Sequence, residues 1–286
     1  MVTALASITI RDRRFVWGSR TYVMGVINIS PDSFSGDGLG RDVEAAVAQG
    51  RHFEEEGADI LDVGGESTRP GFEPISADEE MELVLPVVER LVRETSLPVS
   101  IDTYKVAVAE RAVKEAGAHM INDIWGFRHD GERMAMVAAE TGLPAVVMHN
   151  QRGRPFHDVI GDLLVGFRES LRIAREAGIP EERLIIDPGF GFGWDENQNL
   201  EMLRRLGELR AIGRPILIGT SRKSTIGKVL DLPVEERLEG TAATVAIAIA
   251  NGADIVRVHD MKAMVRVTRM TDAIVRGWSI GESRRG

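Results

Sequence analysis

Short apolar runs alternate along the chain with longer segments in which apolar residues recur at helical spacing. The runs are apolar throughout, which is typical of strands buried on both faces. Many helical segments end in glycine, and the next apolar run follows at once. The predicted strands are 22–28, 59–63, 97–102, 118–124, 144–149, 183–187, 215–219 and 254–258. The predicted helices are 41–56, 76–94, 105–116, 132–141, 158–177, 197–212, 235–250 and 261–278.

The order of these elements predicts the fold. Eight successive strand–helix units indicate an α/β protein, a (β/α)8 TIM barrel in which parallel strands close on themselves. An open doubly wound sheet is the alternative, but no Gly-x-Gly-x-x-Gly follows the first strand. Residues 6–17 alternate weakly around a polar turn, which predicts a short N-terminal β-hairpin. We therefore divide the chain into a hairpin extension, 1–20, and a barrel domain, 21–286.

Composition narrows the classes of function. The formal net charge of −9 disfavours nucleic acid as the main partner. The absence of cysteine excludes disulfides, thiolate metal sites and a cysteine nucleophile, and it fits a cytoplasmic protein. No apolar run approaches the roughly 18 residues of a membrane span. The first residues carry no basic leader with an apolar core, so we expect neither secretion nor a membrane location.

Polar residues follow every predicted strand, at the end where barrels of this class carry their active sites. Singly, each has an ordinary explanation: Asp123 and Asp260 are favoured as helix N-caps, and a lone His149 or His259 is more often structural. Together at one rim, they indicate a site. The candidates are Asn28, Asp32, Asp62, Glu66, Ser67, Thr68, Arg69, Asp102, Thr103, Asn122, Asp123, His149, Asp187, Ser221, Arg222, Lys223, Ser224, Arg257, His259 and Asp260.

One group of candidates suits an anion. Asn28, Arg257 and His259 follow the first and eighth strands, which are neighbours in a closed barrel, so these donors can converge on a phosphate or pyrophosphate. Asn28 and Asp32 offer hard oxygen ligands for a Mg²⁺ ion that bridges a pyrophosphate. No zinc-binding motif is present.

A second group suits a flat heterocycle. Asp102, Asn122 and Asp187 can pair with adjacent N–H donors and a carbonyl, and a guanidine-like edge pairs with one carboxylate. Lys223 begins a short helix, which suits a carboxylate or phosphate. Two loop aromatics either hold a flat ring or pack against the rim: Phe34 and Phe190.

The stretch 62–71 fits two explanations equally well. It is either part of the site or a strand–loop junction in which Gly64 and Gly65 supply unusual backbone angles and Glu66 pairs with Arg69 on the surface.

At this point the motifs resemble the dihydropteroate synthase family, from about residue 21 to the end of the chain. They are MGVIN at 24–28, SPDSFS at 30–35, DVGGESTRPG at 62–71, SIDT at 100–103, IND at 121–123, DPGFGF at 187–192, GTSRKS at 219–224 and RVHD at 257–260. Three positions depart from the family pattern: Gly36 intervenes in the first loop, Trp125 stands where a small hydroxyl residue is usual, and Asn150 stands where Met or a similar residue is common.

The resemblance implies a role for each matching residue. Pterin is held by Asp102, Asn122, Asp187, Met148 and Lys223, and pyrophosphate by Asn28, Arg257 and His259, with Mg²⁺ at Asn28. p-Aminobenzoate lies under the two loops, against Phe34, Thr68, Arg69, Pro70, Phe190 and Ser224. The expected catalytic residues are Asn28, Asp32 and Lys223. Asp62 and Glu66 are expected to be supporting residues that orient Asn28 and the loop, since neither has an assigned ligand.

The resemblance also implies the reaction. The C–O bond from the pterin methylene to pyrophosphate breaks early, and the aniline nitrogen of p-aminobenzoate attacks the cation-like carbon without a protein nucleophile. Sulfonamides are expected to compete with p-aminobenzoate, and the family is usually dimeric. Two alternatives stay open. One is a pterin-binding barrel that transfers a methyl group from methyltetrahydrofolate to a corrinoid protein, and the other is a pterin-binding paralogue without turnover.

Overall fold

Eight parallel strands form the centre of this computed structural model, which describes residues 5–29, 42–66, 73–130 and 132–278. Their order is β8-β7-β6-β5-β4-β3-β10-β9, and a bridge between Ile186 and Ile216 joins the two outer strands and closes the barrel. The (β/α)8 prediction is therefore confirmed. The strands are β1 (Ile8–Ile10) and β2 (Arg13–Phe15) of the hairpin, then β3 (Tyr22–Asn28), β4 (Ile60–Gly64), β5 (Val99–Asp102), β6 (Met120–Asp123), β7 (Ala145–Met148), β8 (Leu184–Asp187), β9 (Leu217–Ile218) and β10 (Ile255–Val258).

The helices pack outside the strands and begin and end largely where the sequence predicts. Ser76 and Glu79 form the predicted capping box at the start of the second helix, and Gly57 ends the first helix in the left-handed region at φ 99°. The predicted helix 197–212 divides at residue 206 into an α-helix and a 3₁₀ segment. The α-helices are α1 (Val43–Glu56), α2 (Ala77–Glu94), α3 (Val106–Lys114), α4 (Arg133–Thr141), α5 (Val159–Glu176), α6 (Glu196–Arg205), α7 (Ser224–Leu230), α8 (Leu238–Ala250) and α9 (Met261–Arg276).

The main hydrophobic core lies between the strands and the helix layer. It combines outward-facing strand residues such as Val63 and Ile101 with helix residues such as Val84 and Leu91, all of them fully buried. Among the described residues, no helix has the length and apolar character needed to cross a membrane.

A second core fills the amino-terminal half of the barrel and is covered by the hairpin. Phe15, Trp17 and Tyr22 pack ring to ring, with centroids 4.6–5.8 Å apart. They join the lower inward-facing layer of the barrel, which consists of Met24, Ile60, Met120, Val146, Ile185, Leu217 and Ile255. Arg11, in the hairpin turn, donates hydrogen bonds to the carbonyl oxygens of Val92, Thr95 and Leu97. The predicted hairpin is therefore present, and it closes the barrel end opposite the polar rim.

Candidate active site

The functional side chains occupy the second inward layer of the barrel. Alternate residues of a strand point to the same side, so the position two residues beyond an apolar inward residue also points inward. Ile60 is followed in this way by Asp62, Met120 by Asn122, and Ile185 by Asp187. Met148 and Arg257 follow Val146 and Ile255 by the same rule. Because inward-facing residues recur at every second position, the same strands supply both the lower apolar layer and the polar layer above it.

Asp62 is the centre of a hydrogen-bonded network across this layer. Its Oδ2 accepts from Arg257 Nε at 2.6 Å and from Asn122 Nδ2 at 3.0 Å, and its side chain is fully buried. Arg257 Nη2 also donates to Asp102 Oδ2 at 2.6 Å. Asp62 thus supports Asn122 and Arg257, and no bond from it to Asn28, the residue it was expected to orient, occurs among the described residues. Arg257, expected in the anion group, also contacts two carboxylates inside the barrel, so the two groups of candidates are joined.

Burial and charge together shift the pKa values of this network. Burial raises the pKa of Asp102 to about 7, against the opposing effect of Arg257. Burial likewise raises the pKa of Asp187 to about 6, against its hydrogen bond from Gly189 and the charge of Lys223. For Arg257, burial lowers the pKa, but Asp62 and Asp102 outweigh it, so that the pKa lies above its ordinary value. The layer therefore holds two carboxyl groups that titrate near neutrality.

An open cavity lies above this layer, with about 500 Å³ of empty space that includes part of the surrounding solvent. Carboxylates, an amide, two cations and apolar side chains meet in it. Its lining consists of Asp102, Asn122, Ile124, Met148, Asp187, Gly189, Phe190, Phe192, Gly219, Ser221, Lys223, Arg257 and His259. The structure thus brings together all five residues that the sequence analysis assigned to pterin.

Lys223 forms the cationic wall of the cavity. Its Nζ lies 4.3 Å from the centroid of the Phe192 ring, a cation–π geometry. Burial, together with the charge of Arg257, lowers the pKa of Lys223 to about 8. This amine can therefore donate hydrogen bonds at neutral pH and can lose its proton at mildly alkaline pH.

Asp187 is aimed by the turn that follows β8. Its Oδ1 accepts from the Gly189 N–H at 2.8 Å, which leaves Oδ2 for a ligand. Gly189 has φ +73°, and a Cβ there would lie 2.0 Å from the carbonyl oxygen of His149. Only glycine fits this turn, so the backbone fixes the direction of the carboxylate.

Two residues of the predicted anion group, Arg257 and His259, line one edge of the cavity, whereas Asn28 is not among its lining residues. The ring of His259 is bonded through Nδ1 to Ser221 Oγ at 2.9 Å, and Ser221 also accepts from the His259 N–H. Asn28 ends β3, the strand paired with the β10 strand that carries Arg257. Arg257 Nη1 has no partner within the ranges that the structure describes. The edge can therefore supply donors to an anion in addition to the carboxylate network.

Several predicted site residues lie outside the described residues or away from the cavity. The former are Asp32, Phe34, Thr68, Arg69 and Pro70. Ser224 is exposed at the first position of α7 and does not line the cavity. Phe190 lines the cavity and is only 1% exposed, so it packs against the rim, one of the two explanations left open by the sequence.

Three other rim residues have structural roles. Asp123 was expected to cap the next helix, but it accepts from the N–H groups of Trp125 and Phe127 and so closes a turn. Asp260 stands at the N-cap position of α9 without a capping bond and instead binds Arg222 through two hydrogen bonds. His149 is buried against Trp194 and bonded to Gln151, and burial lowers its pKa to about 4.

Sequence reasoning missed two apolar cavity residues. Ile124 comes two residues after the inward-facing Asn122, so the period of two was a usable signal. The sequence pattern singles out Phe190 and not Phe192, although both residues line the cavity. Their spacing alone could not show that Phe192 is the ring that meets Lys223.

Comparison with known proteins agrees with this geometry. The residue pattern of a family described as pterin binding enzyme matches residues 24–259. A dihydropteroate synthase of Clostridium beijerinckii is 49% identical over 268 residues, which cover 93% of this chain and 99% of that protein.

Solved structures give the same result. The dihydropteroate synthase of Clostridium difficile, crystallised in the presence of pteroic acid, superposes with a TM-score of 0.87 at 47% identity, covering 92% of this chain and 99% of that one. The Yersinia pestis dihydropteroate synthase in complex with a sulfonamide drug superposes with a TM-score of 0.88 at 38% identity, covering 94% and 99%. The motifs, the barrel and these similarities together show that the chain belongs to the dihydropteroate synthase family of pterin-binding enzymes.

Proposed function

We propose that this chain is a transferase of folate biosynthesis that acts as a dihydropteroate synthase. It condenses 6-hydroxymethyl-7,8-dihydropterin pyrophosphate with p-aminobenzoate to give 7,8-dihydropteroate and pyrophosphate. The observation that carries this proposal is the joining of Asp102, Asn122, Asp187, Met148 and Lys223 around one cavity, on a chain that is 49% identical to a dihydropteroate synthase.

The polar layer can bind the pterin ring through complementary hydrogen bonds. Oδ2 of Asp187 can accept from a guanidine-like N–H edge, because the Gly189 turn occupies only Oδ1. Asp102 and Asn122 face the same cavity and can pair with the remaining ring N–H and carbonyl groups. Met148 and Phe192 supply apolar surface for the flat ring, and Lys223 donates from the side. The raised pKa values of the two carboxyl groups show that both are poorly solvated before ligand binds.

The anion edge can stabilise the leaving pyrophosphate. Arg257 Nη1 and the His259 ring are donors at the edge of the pterin cavity, so they can meet charge that develops as the C–O bond breaks. The bonding electrons leave with the pyrophosphate oxygen. The p-aminobenzoate nitrogen then forms the new C–N bond and loses one proton. No protein nucleophile takes part, and the rim positions the two substrates.

Asn28 can meet the proposed requirement for magnesium, but only as a single protein ligand. No group of three or more histidine or acidic side chains that could hold a metal occurs within residues 5–29, 42–66, 73–130 and 132–278. Mg²⁺ commonly keeps several waters and uses one or two protein oxygens plus phosphate oxygens. The Asn28 amide oxygen, at the end of the strand that pairs with β10, can be such a single ligand. A magnesium ion bound there supplies charge neutralisation to the pyrophosphate.

The p-aminobenzoate assignments stay predictions. Phe190 is in the cavity wall and Ser224 is close in sequence to Lys223, which supports a pocket on this side. The proposed contacts of Phe34, Thr68, Arg69 and Pro70, and the catalytic role of Asp32, lie outside the described residues. Because a sulfonamide drug binds the Yersinia pestis relative, we propose that sulfonamides compete with p-aminobenzoate here.

The proposal is tested by turnover. Purified protein is mixed with Mg²⁺, dihydropterin pyrophosphate and p-aminobenzoate, and pyrophosphate release is measured. Wild type and Asp158→Asn should be equally active, since Asp158 is an exposed N-cap that asparagine can replace. Asp187→Asn should lose at least about tenfold in kcat/KM, equal to about 1.4 kcal/mol of transition-state stabilisation. A wild-type protein that releases no pyrophosphate would contradict the proposal, and turnover of methyltetrahydrofolate would favour the methyl-transfer alternative.

We also propose a homodimer, formed through α9 and its neighbour α8. Met270 and Ile274 lie four residues apart on α9 and are 63% and 70% exposed, and Trp278, which is 68% exposed, follows just after the helix ends. Ile247 of α8 is also exposed, on a helix that packs against α9. Apolar side chains at this spacing form one stripe, and a stripe this exposed favours burial against a second copy.

A cytoplasmic location, expected from the sequence, stays a prediction. It is consistent with a reaction that uses small phosphorylated substrates. Cell fractionation with an antibody against the native protein would test it.

A further inference from the structure

A buried ion cluster beside the cavity has no role in the chemistry described above. Lys105 Nζ lies 2.5 Å from Glu66 Oε2 and 2.5 Å from Glu80 Oε2. The Tyr104 hydroxyl donates to Glu66 Oε1 at 2.9 Å. The Ile75 N–H donates to Glu66 Oε2 at 3.1 Å. Glu66 therefore has partners on two other segments of the chain, and Lys105 extends the cluster to Glu80 on α2.

The cluster joins segments that lie far apart in sequence. Glu66 follows β4, Glu80 belongs to α2, and Lys105 is the N-cap residue of α3, three positions after Asp102. Residues 67–72 connect Glu66 to the segment that contains Ile75. The cluster thus fixes the chain on both sides of 67–72 and ties both sides to the strand that carries Asp102.

Close packing adds to this restraint. A Cβ at Gly65 would lie 2.7 Å from Val84 Cγ1 and 2.9 Å from Glu80 Cγ, so the backbone beside Glu66 is in direct contact with α2. Only glycine allows this approach. The segment after β4 is consequently held by a steric contact at residue 65 and by the ion cluster at residue 66.

The energetics of the cluster favour a geometric role. Glu80 and Glu66 have side chains that are 1% and 10% exposed, and Lys105 is 15% exposed. Burying such charges costs about as much as their attraction returns, so a buried ion cluster is a weak source of stability. Burial raises the pKa of Glu80 even with Lys105 bound. The main effect of the ion cluster is therefore to fix the place where three segments of the chain meet.

We propose that Lys105 is a positioning residue, which holds the flanks of residues 67–72 in register with Asp102 and thereby sets productive binding of p-aminobenzoate. The inference rests on the proposed function, which assigns Thr68, Arg69 and Pro70 to that substrate. Without Lys105, the carboxylates of Glu66 and Glu80 face each other in a buried space and repel, so Glu66 moves away from Glu80 on α2. The flanks then lose their fixed relation to the pterin site, whereas the pterin contacts remain.

The test compares Lys105→Met with Lys114→Met. Lys114 also bridges two carboxylates, Glu110 and Glu140, but all three side chains are exposed. Lys105→Met should raise KM for p-aminobenzoate by about tenfold to a hundredfold, the size expected of a misplaced substrate. Its kcat and its affinity for 6-hydroxymethylpterin, measured by calorimetry, should change by less than about twofold, within the 0.3–0.5 kcal/mol that independent sites show. In Lys105→Arg the KM for p-aminobenzoate should lie closer to the wild-type value than in Lys105→Met, because arginine keeps the positive charge.

Further variants test whether Lys105 and Glu66 act together, and they define the results that would contradict the inference. Glu66→Gln keeps the size of the side chain and removes its charge, and the double variant with Lys105→Met should be no worse than the worse single variant. A folded Lys105→Met protein with unchanged KM overturns the inference, as does a KM rise accompanied by an equal loss of pterin affinity. If Lys105→Met does not fold, an unchanged KM in Glu66→Gln overturns it. A wild-type protein without turnover instead overturns the proposed function, so the two failures are distinguishable.

Discussion

Arg257 couples the two halves of the proposed chemistry at the level of single side chains. Its Nε and Nη2 donate to Asp62 and Asp102, and Arg257 lines the same cavity edge as His259. In the proposed function, pterin binding and pyrophosphate binding therefore share one guanidinium. Replacing Arg257 would leave two buried carboxylates without a cation, so both substrate halves should be affected together rather than pyrophosphate alone.

The raised pKa values of Asp102 and Asp187 predict a pH-dependent affinity for pterin. Both carboxyl groups must be ionised to accept hydrogen bonds from ring N–H groups, and their pKa values are about 7 and about 6. Affinity for 6-hydroxymethylpterin should therefore fall as pH drops from 8 to 5, by roughly tenfold for each unit below the relevant pKa. Calorimetry across this range measures it. In Asp187→Asn the step near pH 6 should be absent, and a flat profile in wild type would contradict the prediction.

The same shifts act on stability with the opposite sign. A carboxyl group whose folded pKa exceeds its ordinary 3.8 binds its proton more tightly in the folded state. The two groups therefore favour folding fully below about pH 4, and this contribution is lost as pH rises through about 6 and 7. Ligand affinity and unliganded stability thus change in opposite directions between pH 5 and 7.

At the scale of elements, local signals predicted the boundaries well and the rim contacts poorly. The Ser76–Glu79 capping box and the Gly57 C-cap follow from residues close in sequence, so they could be predicted. Asp123 and Asp260 also precede helices, but their partners are a turn and Arg222 of a different loop. A carboxylate has several local uses, and only the three-dimensional arrangement selects among them.

The hairpin is predicted to stabilise the barrel from below without touching the chemistry. Phe15 is 1% exposed and packs on Trp17 and Tyr22, against the lower inward layer of the barrel. Phe15→Ala should lower the free energy of unfolding by about 3–5 kcal/mol, the usual cost of a large core truncation. Urea denaturation monitored by tryptophan fluorescence measures the loss.

Phe156→Ala provides the matched control for the hairpin. Phe156 is 47% exposed and meets Trp194 only edge to face, so its removal should cost much less. Affinity for 6-hydroxymethylpterin should be unchanged in both variants, because the hairpin lies at the end opposite the cavity. A Phe15→Ala protein as stable as Phe156→Ala would show that the hairpin is dispensable to the fold.

At the scale of the whole molecule, the closed barrel explains which part of the site could be foreseen. The eightfold pattern placed every strand end on one rim, so the candidates could be named before their contacts were known. Strands that are neighbours in the barrel could also be paired. Contacts between strands that are not neighbours could not be predicted. Asp62 on β4 and Arg257 on β10 form such a contact: they are 195 positions apart, and β3 lies between their strands. Their meeting depends on inward direction and side-chain length, which only the closed barrel supplies.

The apolar stripe on α9 makes the last prediction, which concerns assembly. A stable dimer buries about 800 Å² on each partner, around a central apolar patch. Ile274 is 70% exposed within the stripe, so Ile274→Glu should place a charge in that patch and produce monomers in analytical ultracentrifugation. Val165→Glu is the matched control, because Val165 is 57% exposed on α5, away from the stripe. Because the pterin residues lie at the ends of the barrel strands and not on α9, the monomer should keep its affinity for 6-hydroxymethylpterin. A wild-type protein that sediments as a monomer at micromolar concentration would contradict the proposed dimer and leave the pterin site unaffected.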